Sequence, residues 1–198
     1  MRKREKIVPI ILAAGSSDRL PFPKPLALFG RKTALAIAVE NCAGLERPLV
    51  VLGCDAVRVR PAVPRAARVV MNPSWRRGQI GSLRRALKQI SADAAFLIYA
   101  IDHPLLKRKT IQQLVRAFRT RDKSQEIAVP RHGRVFGHPA IISAALRKEF
   151  FKSKTARDVV YRVLARVRSI EVHTPAIFAD FDTQESYRFC LRKFRARK

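Results

Sequence analysis

The sequence predicts an α/β fold, a mainly parallel sheet with helices on both faces. Three observations carry that reading. Apolar runs of strand length alternate with segments of helical period along the 198 residues. The runs are apolar at consecutive positions, the mark of strands buried on both faces. The apolar fraction, 47%, is spread over the whole chain and suffices for a core without disulfide or metal staples. Strand–helix alternation of this kind builds a three-layer αβα domain, whose ligands bind at the carboxyl ends of the strands near the topological switch point.

The elements follow in order. IVPIILA (7–13) is the first strand. Basic residues at Arg2–Lys6 before it mimic a signal peptide, but the apolar part is short, contains Pro9 and follows Glu5. LVVLG (49–53), ARVVM (67–71), AAFLIYAI (94–101) and EIAVP (126–130) read as further strands. Ile80, Leu83, Leu87 and Ile90 share one face of a helix over 79–90. Ile111, Leu114, Val115 and Phe118 do the same after Thr110, the expected N-cap. Val159, Val160, Val163, Leu164 and Val167 repeat the pattern after Thr155. Residues 188–198 read as an amphipathic helix with a solvated basic face, and the whole chain 1–198 as one domain.

Composition excludes several classes. The longest uncharged run, Ile7 to Ser17, is too short for a membrane span. Cys42, Cys54 and Cys190 are odd in number and far apart, which argues against a disulfide framework or zinc site and for a reducing compartment, the cytoplasm. Lys+Arg 41 against Asp+Glu 15 leaves a net charge of +26. Such a field draws polyanions. Adaptation to a salty or acidic cell interior gives the same composition.

Chemistry gathers at the expected strand ends. The first strand runs into Leu12-Ala13-Ala14-Gly15-Ser16-Ser17-Asp18-Arg19. Small side chains let a ligand approach the backbone, and successive N–H groups cradle phosphate. The loop matches neither the dinucleotide fingerprint nor the P-loop. Arg19 and Lys24 add positive charge, and Pro23 and Pro25 fix the backbone on either side of Lys24. AAFLIYAI leads into Asp102-His103-Pro104, where a carboxylate at the mouth of a buried strand calls for a hard cation such as Mg²⁺. Asp180 and Asp182, in IFADFDT, repeat the logic at a second expected strand end, with one acid facing the site and the other capping the final helix. Two carboxylates and a phosphate-binding loop make a metal-assisted phosphoryl- or nucleotidyl-transfer constellation.

On these residues a resemblance appears. LAAGSSDRLPFPK resembles the LAAGxSxRxGxPK opening of GT-A-like nucleotidyltransferases, and 72–83 resembles their NPxWxxGxxxSL segment. Asp102-His103-Pro104 is similar to DxP, Gly137-His138-Pro139 to GHP, and DFDTQESY (180–187) to DIDTPEDY. The chain thus resembles the MobA-like NTP transferase family, closest to its molybdenum cofactor cytidylyltransferase group. The resemblance implies a single Rossmann-like, GT-A-type domain. It implies that Leu12, Ala13, Ala14, Gly15, Asn72 and Ser82 hold the nucleotide, Arg19 and Lys24 the triphosphate, Asp102 and Asp180 Mg²⁺, and His138 the acceptor.

The implied reaction is CMP transfer from CTP to a phosphorylated acceptor such as molybdopterin, by a monomer without membrane contact. In the family LAAG goes with CTP and LAGG with GTP, and the Ala14 methyl would disfavour a purine. His103 and Trp75 read as packing residues. Pro21, Gln184, Ser186 and the segment 153–157 depart from the family pattern. Transfer to a sugar or alditol phosphate is the second reading, and a basic nucleic-acid-binding protein on the same fold is the third.

Overall fold

The structure, a computed structural model, describes residues 5–197. Arg2–Arg4 of the basic N-terminal cluster and Lys198 of the basic tail lie outside them. The strands are β1 (Ile7–Ala13), β2 (Leu28–Phe29), β3 (Lys32–Thr33), β4 (Leu49–Leu52), β5 (Arg68–Met71), β6 (Ala95–Ala100), β7 (Ile127–His132), β8 (Val135–Phe136), β9 (Ala140–Ile142) and β10 (Val167–Glu171). The α-helices are α1 (Ala34–Asn41), α2 (Ala56–Val59), α3 (Gln79–Leu87), α4 (Arg108–Arg119), α5 (Arg147–Lys152), α6 (Ala156–Arg162) and α7 (Gln184–Arg195).

Eight strands form the main sheet in the order β10-β7-β9-β6-β1-β4-β5, with β8 paired to β7, while β2 and β3 form a separate hairpin. The sheet is mostly parallel, with β9 antiparallel to both β6 and β7. The chain leaves β1 towards β4 and β5, then crosses back to β6 on the other side of β1. That reversal is the switch point. Register keeps the carboxyl ends level, since Leu12 pairs with Val51 on one side and Ala100 on the other.

Burial explains why β1 is apolar throughout. Ile7, Ile11 and Ala13 enter the core on one face, while Val8, Ile10 and Leu12 enter the core on the other. The first core takes α1, α4 and α7, centred on Leu35, Phe118 and Phe181. The second takes α3 and α5, where Phe96 meets Phe150 edge to face at 5.3 Å.

Three local expectations are corrected. α4 begins at Arg108, so Thr110 lies buried inside its first turn rather than at its cap. α6 has the predicted Thr155 cap, with Asp158 completing a capping box, but ends at Arg162. Beyond it Leu164 is 48% exposed and Val167 opens β10, so the apparent helical period belongs partly to a half-buried edge strand. Residues 178–183 form no strand. Phe181 turns into the core against Phe29, at 5.3 Å, and Thr183 caps α7.

Gly53, just after β4, marks the tightest packing beneath the carboxyl ends. A Cβ there would stand 2.5 Å from the Ala14 carbonyl oxygen and 2.6 Å from the Trp75 Cβ. Gly53→Ala is expected to cost about 1–3 kcal/mol by overpacking, lowering the melting temperature by roughly 2–4 °C for each kcal/mol in a domain of this size. A thermal melt that matches the native protein would contradict this packing.

Candidate active site

The carboxyl ends of β1 and β6 open on a cleft of about 350 Å³. Its floor is the backbone of Leu12, Ala13, Ala14, Gly15 and Ser16. Nothing stands within 4 Å of a Cβ built on Gly15, so this backbone faces open space. Opposite lies the start of α3, with Gly78, Gln79 and Ser82. Gly78 adopts φ 90° at the N-cap and offers no side-chain cap; the Gly81 amide turns back to the Gly78 carbonyl at 3.1 Å, which leaves the Gln79 and Ile80 amides to face an anion.

Lys24 enters the cleft from a single 3₁₀ turn over Lys24–Leu26. Its amide donates to Ser17 Oγ at 2.8 Å, which pins the loop back on itself. Its ammonium, 16% exposed, pairs with Asp182 Oδ1. Arg19 reaches the other oxygen of the same carboxylate at 2.8 Å but is 66% exposed, so it stands on the rim.

Asp102 lies in the turn after β6 and lines the cleft, with His103 Nδ1 2.7 Å from its Oδ1. Burial raises the pKa of this carboxyl. The hydrogen bond from His103 and the charges of His103 and Lys24 outweigh that and hold it below the usual carboxylate range, so Asp102 is ionised at neutral pH. The His138 ring stands 4.5 Å from that of His103, outside the residues that line the cleft. Desolvation and then the neighbouring His103 lower the pKa of His138 to about 4, so it is neutral at pH 7.

One backbone hydrogen bond, Phe181 N–H to the Asp102 carbonyl at 3.1 Å, ties the segment before α7 to the turn after β6. With Phe181 anchored inside, Asp182 points into the cleft. Its amide donates to Ser186 Oγ at 2.9 Å, and Ser186 completes a capping box with Thr183. The departure from the family pattern at Ser186 is thus filled by a helix cap.

The expected residues are sorted accordingly. Leu12, Ala13, Ala14, Gly15, Lys24, Ser82 and Asp102 line one cleft. Asn72 is buried behind it, donating to Ser82 Oγ at 2.9 Å and accepting the Ser74 amide. Asp180 is exposed and does not line the cleft; Asp182 takes the place expected for it, because the segment is no strand and Phe181 sets its orientation. His103, read as a packing residue, is buried but bonded to Asp102. Trp75, Arg76 and Gln79 also line the cleft, with the Arg76 guanidinium 4.5 Å over the Trp75 ring. Proximity of 75–79 to the N-terminus of a predicted helix was the available signal for them.

The donor set suits a hard cation. Asp102 and Asp182 offer carboxylate oxygens in one cleft. Among the described residues no group of three or more His, Cys, Asp or Glu side chains could hold a metal by itself. A divalent ion here would complete its shell with phosphate oxygens and water, as Mg²⁺ prefers.

The MobA-like NTP transferase domain model matches residues 9–172. The chain belongs to the MobA-like NTP transferase family. It is a nucleotidyltransferase. Rv0371c from Mycobacterium tuberculosis H37Rv is similar at 27% identity and TM-score 0.79, over 96% of this chain and 99% of that one. A second structure of Rv0371c, aligned at 24% identity and TM-score 0.74 over 96% and 100%, is a complex with manganese. A nucleotidyl transferase from Methanothermobacter, Mth528, shares the fold at 20% identity and TM-score 0.83, over 98% and 99%. Molybdopterin-guanine dinucleotide biosynthesis protein A from Archaeoglobus fulgidus shares it at 14% and 0.70, over 96% and 99%. No match was found among curated protein sequences.

Asp182→Ala is expected to lower nucleotidyl transfer by three or more orders of magnitude, about 4 kcal/mol at roughly 1.4 kcal/mol per tenfold. Asp180→Ala should stay within a few-fold. Pyrophosphate release by the two purified variants decides between them, and a severe Asp180→Ala would reverse the assignment.

Proposed function

We propose that the enzyme transfers CMP from CTP to the terminal phosphate of a phosphorylated small molecule of the molybdopterin class, releasing pyrophosphate. The observation that supports this reading is the convergence of Lys24, Asp102 and Asp182 on a cleft floored by the small-residue backbone 12–16. An acceptor phosphate oxygen attacks the α-phosphorus, the bond from that phosphorus to the bridging oxygen breaks, and pyrophosphate leaves with the electron pair. No protein nucleophile is needed; positioning and charge neutralisation suffice.

The residues divide this work. Backbone 12–15 and Ser82, held by Asn72, orient base and ribose. Lys24 and Arg19 take the β- and γ-phosphates, releasing Asp182 from their ion pairs. His138, neutral and beside His103, is the residue we assign to the acceptor. A Mg²⁺ or Mn²⁺ ion held by Asp102 and Asp182 would offset the negative charge of the triphosphate. The need for a nucleoside triphosphate and the separate free cysteines support a cytoplasmic location.

The LAAG loop is what supports CTP; Ala14 is 3% exposed and packs near Gly53 beneath the cleft, so its methyl acts through the loop backbone under the base. Pyrophosphate release should be measured with each of the four nucleoside triphosphates, with molybdopterin–molybdate, with a sugar phosphate and with no acceptor. CTP with the pterin acceptor is expected to give the highest kcat/KM. A sugar phosphate that outperforms it would overturn the acceptor assignment.

Ala14→Gly should shift preference towards GTP. Lys24→Ala and Arg19→Ala should raise the KM for every triphosphate without changing their order, since the phosphates are common to all. A base switch in either lysine or arginine variant would count against this division.

A further inference from the structure

Part of the surplus charge lies on a track away from the catalytic cleft. α4 has no acidic residue. Its apolar face, with Leu114 and Phe118, is buried, and Arg108, Lys109 and Arg116 project from the other side. They line a groove of about 590 Å³ between α4 and the end of α1, together with the uncharged Gln112 and Asn41. Lys107, immediately before α4, lines a second groove of about 490 Å³. That groove contains Phe178, 37% exposed, and Phe189, 45% exposed, with Lys193 and Arg197 beside them. The Lys193 ammonium is 5.7 Å from the Phe189 ring centroid.

The short stretch 105–109 supplies Leu105 and Lys107 to one groove and Arg108 and Lys109 to the other. Among the described residues that line them, none is acidic. Lys107, Arg108, Lys109 and Arg116 make no ion pair with any described carboxylate. Neither groove shares a lining residue with the catalytic cleft.

We propose that this track binds single-stranded nucleic acid, with phosphates along Arg116, Arg108, Lys109 and Lys107 and bases stacked on Phe178 and Phe189. Cations without internal partners release condensed counterions when they meet a phosphate backbone. Partly exposed aromatic rings stack unpaired bases whatever their sequence once a side chain such as Lys193 swings off the ring, whereas a duplex keeps its base faces hidden. No motif in the sequence signals such stacking, because one phenylalanine lies in a loop and the other on α7, and only the fold brings them to one groove.

The test is fluorescence anisotropy of the full chain with labelled single-stranded RNA and DNA of about twelve nucleotides, within the usual site size, and with a duplex of the same sequence, over a salt series. Lys107→Gln/Arg108→Gln/Lys109→Gln/Arg116→Gln should weaken single-strand binding at least tenfold. It should also flatten the salt dependence by about two to three in the log–log slope, at roughly 0.7 per phosphate contact.

Arg60→Gln/Arg65→Gln/Lys88→Gln/Lys148→Gln removes the same charge from exposed positions elsewhere and should change affinity less than about threefold, as expected if contacts rather than the general field dominate. Phe178→Ala/Phe189→Ala should weaken single strands about tenfold, the loss expected from one to two stacked bases, without changing the salt slope or the duplex affinity. Circular dichroism and pyrophosphate release should match the native protein in all three variants. Equal losses in the two charge variants would sink the proposal. So would tighter binding of the duplex, inert phenylalanines, or no single-strand binding by the native protein at physiological salt.

Discussion

The site depends on one ion-paired carboxylate. Asp182, at the entrance to α7, accepts Lys24 and Arg19 from the loop after β1. These groups are far apart in sequence, and nothing local holds them together. The Phe181 amide on the Asp102 carbonyl and the Phe181 ring in the core set the position of Asp182, so a buried aromatic and a single backbone hydrogen bond deliver a polar group to the cleft. Pro23 and Pro25 then limit where Lys24 can go to meet it.

The same arrangement resolves a cost. Ionised Asp102 stands in a turn where burial alone would favour its neutral form, and His103 and Lys24 together reverse that preference. The negative charges of Asp102 and Asp182 are thereby balanced by side chains that a triphosphate also attracts. A ligand carrying both negative phosphate oxygens and a divalent cation can replace these pairings without leaving a charge unpaired, which is what a buried ionic site requires.

The sheet and the phosphate loop were legible because they rest on local signals. Continuous apolar runs mark doubly buried strands, and β1, β4 and β6 lie within a residue or so of their expected bounds. Lys24 between two prolines and Asp102 after AAFLIYAI are positional features that a sequence displays openly. The sequence pointed to Asp180 where the cleft holds Asp182, because that choice depends on Phe181 finding Phe29 across the molecule. His103 was missed for a related reason: its bond to Asp102 is made within the turn, and no periodicity reports a turn's side-chain geometry. β10 went unread, only Val167 falling at the end of a helical pattern, since a half-buried edge strand of valine and isoleucine carries no clean period of its own.

The central position of β1 has a dynamic consequence. It is hydrogen-bonded in parallel to β4 and β6 and packed on both faces, so its amides are shielded from solvent by neighbours on every side. Opening it means dismantling both cores, which places its exchange with solvent hydrogen at the global unfolding limit. The floor of the cleft is the direct continuation of that strand. The groups that would hold a nucleotide are therefore anchored to the slowest-opening segment of the molecule, whereas α6 and β10, only partly buried near the far edge of the sheet, are free to open locally without disturbing them.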